Sequence, residues 1–131
     1  MTMTPRALVV TAMLLTVPFS RPLAEPQESL ERIMKLKLEY SQAILKSIVT
    51  DDFTSLSRQA RELGKLTESS QWGVLRTPEY ARQSADFLRA AEGLANAAAE
   101  RNAEGAALEY VGLTLKCVQC HKYVRGARKA E

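Results

Sequence analysis

Cys117-Val118-Gln119-Cys120-His121 is the stretch that decides how this 131-residue chain folds. On a helix, positions three and four apart share one face, so Cys117, Cys120 and His121 project to the same side. That geometry suits one chemistry in particular. Two thiols at this spacing can form thioether bonds to the two vinyl groups of one porphyrin, and the adjacent imidazole can reach its iron.

The competing uses of the pattern lack what they need. A thioredoxin-like redox pair belongs to a βαβ unit, and no segment of the chain alternates like a strand. A structural zinc takes four protein ligands. Cys117 and Cys120 are the only cysteines and His121 is the only histidine, so one chain supplies three. A plain disulfide leaves the histidine without a role. Covalent attachment of one haem c, with its iron, is the reading that uses all three residues.

The other end of the chain points to export. Residues 1–24 read as a secretory signal peptide, with Arg6 as the positive region and an apolar run from Ala7 to Val17 too short for a membrane span. Cleavage is expected after Ala24, with Ser20 as the alternative, and the expected compartment is the periplasm. No later segment is apolar enough to insert stably in a membrane. Residues 25–131 then suit a single small domain. Its core is modest, and a covalently held haem would add a large apolar filler.

Charge excludes one class of partner. The formal charge is +3, from 18 basic and 15 acidic residues. Losing Arg6 and Arg21 with the signal lowers 18 to 16, and two haem propionates would make the total slightly negative. There is no basic cluster with interleaved aromatics, so nucleic acid is not an expected partner.

Four segments carry helical periodicity. The first opens at Pro26 with Glu28 behind it, and Leu30, Met34, Leu38, Ser41, Leu45 and Ile48 form its expected stripe, with Ile33 and Ile44 at the margin. Thr50-Asp51-Asp52 offers caps to a second, bearing Phe53, Leu56, Ala60, Leu63 and Leu66. It ends in the polar run 67–71, before an irregular tract around Trp72-Gly73. Thr77-Pro78-Glu79 is a helix start, with a capping hydroxyl, a proline and an acid in order. The third segment runs through Ala81, Ala85, Leu88, Ala91, Leu94, Ala95 and Ala98. Asn102 caps a fourth, with Ala106, Tyr110, Leu113, Cys117, Cys120, His121 and Val124 facing inward. Mostly short links join them, which predicts an all-α fold, an up-down-up-down antiparallel four-helix bundle.

An exported all-helical chain with its only C-x-x-C-H near the C-terminus resembles the class II cytochromes c, the cytochrome c′ family. The resemblance spans about residues 27–128. Its most specific parts are Cys117, Cys120, His121 and Arg125, the arginine four positions on, which the resemblance places close to the proximal histidine. Class I cytochromes c put the motif near the N-terminus and a ligand methionine far downstream; this chain has no methionine after Met34. It departs from the class II pattern just before the arginine, with Val124 where an aromatic is usual and Tyr123 one place earlier.

The resemblance implies one of two functions, separated by Met34. Antiparallel packing of the first and fourth helices brings Met34 and His121 to one end of the bundle. With Met34 as sixth ligand the iron is low-spin and suited to electron transfer with a redox partner protein. If Met34 only fills the core, a five-coordinate iron would bind nitric oxide or carbon monoxide. Lys35 and Lys37 are nearby nitrogen ligands in principle but are expected off the apolar stripe, and Arg32 can meet a propionate. A haem enzyme of the peroxidase kind needs a polar distal acid–base pair, and there is no second histidine, so the chain is not read as an enzyme. The family also implies a possible homodimer through the first two helices, with Tyr40 and Phe53 as contacts.

Overall fold

A computed structural model describes residues 29–69 and 72–130. The signal peptide, the expected start at Pro26 and the end of the 67–71 polar run lie outside those residues. The described chain is all-helical and has no strand: α1 is Leu30–Val49, α2 Phe53–Lys65, α3 Pro78–Ala99 and α4 Ala103–Lys129. A 3-10 turn, Leu66–Glu68, extends α2. No helix among the described residues is long and apolar enough to cross a membrane.

Each helix begins where a short polar side chain can take up an orphan backbone N–H. Ser29 accepts from Arg32, Asp52 from Ser55, Thr77 from Tyr80 and Asn102 from Gly105. Such caps contribute about 1 kcal/mol apiece. Three of them, Asp52, Thr77 and Asn102, stand where the sequence places them, and Ser29 caps α1. The corners after α1 and α3 are both three-residue links whose middle residue, Asp51 or Arg101, has a positive φ near 50°. In each corner the next N–H reaches back to the last turn, Asp52 to Ser47 and Asn102 to Ala97. Those bonds hold two residues without glycine's freedom in the left-handed region.

Helices consecutive in sequence pack on one another, and α4 closes back on α1. Ile33, Ile44, Leu56, Leu63, Leu94 and Leu113 are fully buried at the centre. Around them Ala60, Ala91, Ala95, Ala98 and Ala106 are buried too, and their small size lets the helices approach closely.

The inward face of α1 is rotated from the expected one. Ile33, Lys37, Ile44, Ser47 and Ile48 are buried, whereas Leu38 and Leu45 are 59% and 46% exposed. The isoleucines assigned to the margin are the centre of the stripe. In α3, Tyr80 and Phe87 are buried while Ala81 and Ala85 are exposed. The two aromatics fill space beside Trp72 that alanines leave empty.

Candidate functional site

On α4 the motif residues occupy adjoining positions at the edge of the core. Cys117 and Cys120 are free, half-buried thiols packed against the core, and His121 is exposed one position further round. Across from them stands α1. Two cavities lie between these helices, of about 220 and 320 Å³, and both are lined by Met34, Lys37 and His121. The smaller adds Cys120, Arg125 and the Trp72 wall; the larger adds Cys117, Ser41 and Tyr110. The structure therefore gathers every sequence-predicted site residue, Met34, Cys117, Cys120, His121 and Arg125, around one groove.

The groove is pinned at two points. Ser41 and Tyr110 hydroxyls hydrogen-bond at 3.1 Å between α1 and α4, and Thr77 and Tyr123 hydroxyls at 2.8 Å between the start of α3 and α4. Tyr123 thus ties the motif's helix to the α3 cap. The inner wall comes from the irregular tract: Trp72 is buried, its indole N–H donates to Ser84 at 2.8 Å, and the Tyr80 hydroxyl donates to its carbonyl.

Lys37 is the residue that the sequence reading misplaced. Only 9% exposed, it lies on the inward face of α1 rather than off it. Its Nζ sits 4.3 Å from the Trp72 ring centroid and 4.2 Å from that of Phe87. Those ring faces carry the negative end of the aromatic quadrupole and take the place of water around the ammonium. The ion pairs among the described residues all involve other side chains. The signal was present in the spacing: Ile33, Lys37, Ile44 and Ile48 recur at four, seven and four residues, the period of one helix face.

This buried cation shapes the electrostatics of the groove. Burial lowers the Lys37 pKa, while Cys117 and Cys120 oppose the shift. The His121 imidazole is held below its ordinary value, first by partial burial and then by the positive charges of Lys37 and Arg125. Its neutral form, the one that can ligate a metal, is favoured. Burial pushes the Cys120 thiol up, against the pull of Lys37. Among the described residues no three His, Cys, Asp or Glu side chains converge as a metal cage. Arg32 is exposed on α1 and does not line either cavity.

Comparison with protein-family models, curated proteins and solved structures returned no match to this chain.

Proposed function

We propose that the chain is an exported monohaem c-type cytochrome of the class II kind, an electron carrier of the periplasm rather than an enzyme. The observation that carries this reading is the groove in which Cys117, Cys120 and His121 of α4 meet Met34 of α1. The residues present suit the group. Two free thiols at haem-attachment spacing border an apolar-walled groove, and it continues as a cavity on either side of the histidine.

When bound, haem c supplies an iron centre that accepts and returns one electron. Cys117 and Cys120 would hold it covalently through thioethers, and His121 and Met34 would be the side chains offered to its iron. Arg125, beside His121 in the groove, keeps a positive charge near the imidazole. Lys37 adds a second cation inside the wall, which favours the state with the lower iron charge. Trp72 and Tyr80 keep water from the inner side. This placement takes the path as up-down-up-down and antiparallel, a reading supported by the three-residue corners and the Ser41–Tyr110 and Thr77–Tyr123 pairings.

The second reading, a five-coordinate binder of nitric oxide or carbon monoxide, is favoured by one observation. Met34 is half-buried and packed against the core, as a side chain that only fills space would be.

One experiment tests the reading. The full chain is produced in a host with haem-attachment machinery, and its visible spectrum is taken oxidised and reduced, before and after acid–acetone extraction. Colour that stays with the polypeptide, and a low-spin spectrum in both states, are expected. A stable colourless protein with a Cys117–Cys120 disulfide would overturn haem attachment. A high-spin oxidised spectrum would select the gas-binding reading.

A further inference from the structure

The outer face of α4 is apolar. Leu108, Val111, Leu115 and Val118 are 75%, 58%, 53% and 57% exposed, although Leu113 between them is only 1% exposed. At about 100° per residue, all four lie within roughly 40° of the point opposite Leu113, so this stripe faces directly away from the bundle. A charged residue stands at each end of it, Glu104 and Lys122, both exposed. From Glu104 to Lys122 the six positions are spaced four, three, four, three and four. That is the seam of a left-handed two-helix coil.

The seam has a further property: its six positions are symmetric about residue 113. Turning a second α4 end for end about that point sets Leu108 against Val118, Val111 against Leu115, and Glu104 against Lys122. Every large side chain meets a smaller one, and each charge meets its opposite. A two-fold axis repeats all three pairings, as a self-complementary interface between identical chains requires. A parallel pairing would instead set Glu104 on Glu104 and Lys122 on Lys122. Gly112 lies beside the stripe with open space where a Cβ would stand, so a neighbouring backbone can come close.

We propose that this face is covered by a second copy of the same chain, packed α4 against α4 in antiparallel order about residue 113. The family resemblance points instead to the α1–α2 surface. There Tyr40 is half-buried and the Phe53 ring already carries the Arg101 guanidinium of its own chain, 4.9 Å from its centroid. The two thiols, Cys117 and Cys120, lie on the other side of α4 from this stripe, so the pairing does not use them.

Sedimentation equilibrium of the full exported protein tests this. The unaltered chain is expected to be a concentration-dependent dimer. Leu115→Glu should raise the dissociation constant at least a hundredfold with helicity unchanged by circular dichroism. Glu104→Lys alone and Lys122→Glu alone should each weaken the dimer by roughly tenfold, by setting like charges together, and the double variant should restore it. That rescue also guards against a Leu115→Glu chain that fails to fold. A monomer at all concentrations overturns the proposal, including one that sediments with anionic phosphatidylglycerol vesicles, which would give the face to a membrane. A dimer indifferent to Leu115→Glu, or a double variant that is not rescued, overturns it equally.

Discussion

The Lys37 ammonium lies 4.3 Å from the centre of the Trp72 ring, so a cation from α1 rests on the wall built by the α2–α3 connection. A buried charge costs several kcal/mol of lost hydration, and stacking on aromatic faces returns about 2 kcal/mol of it. Lys37→Met keeps the length and removes the charge. It should stabilise the haem-free chain by about 1 kcal/mol in urea denaturation. In the haem-loaded protein it should lower the midpoint potential with the axial ligands unchanged. A destabilised apo-protein together with an unmoved potential would mean that the charge matters only to packing.

Met34 separates the two functional readings. Met34→Ala should turn a low-spin iron high-spin and let carbon monoxide bind rapidly to the reduced form. Electron exchange with a partner should slow, because a five-coordinate iron reorganises more. An unchanged spectrum would show that sulfur never reached the metal.

The rotated face of α1 can be checked on the apolar residues alone. Ile44 is fully buried and Leu38 is 59% exposed. Ile44→Ala should cost about 3 kcal/mol of unfolding free energy, by lost burial and a residual cavity. Leu38→Ala should cost less than about 0.5 kcal/mol. Equal losses at the two sites would restore the face that the leucines suggest.

Glu79 carries a pH-dependent part of the stability. Hydrogen bonds from Arg82 and Gln83 hold its carboxyl down at about 2. A depressed native pKa makes its contribution complete above the unfolded value of 4.5 and lost as the pH falls toward 2. Since Glu79 and Arg82 are largely exposed, solvent screens the effect and it is small. Melting temperatures of the unaltered chain and of Glu79→Gln should converge below about pH 3 and separate above pH 5. Parallel curves throughout would remove Glu79 from the account.

How much of this could be read from the sequence depended on what each signal measures. The caps at Asp52, Thr77 and Asn102 were legible because capping is a local event between residues three apart. That Cys117, Cys120 and His121 stand beside the same groove was legible because helical spacing is local too. Lys37 was not, because the assumption that charges face water overrode a clear period; only the folded chain brings Trp72 and Phe87 to it. Leu38 and Leu45 misled for the opposite reason. Apolar side chains suggest an interior face, yet these two are exposed.

The bundle is also unevenly knit. Its heaviest packing joins neighbours in sequence, α1 with α2, α2 with α3 and α3 with α4, whereas α1 and α4 touch along a much lighter seam. Contacts between distant parts of a chain form late in folding, and lightly packed regions part at the least free-energy cost. The seam that houses the thiols is therefore the bundle's natural door, last to shut and first to swing. Under the proposed haem reading, Cys117 and Cys120 would be reached by parting two helices, with the other three packings intact. Amide hydrogen exchange in the haem-free chain should accordingly be faster in α1 than in α3, and equal rates would mean that the bundle opens only as a whole.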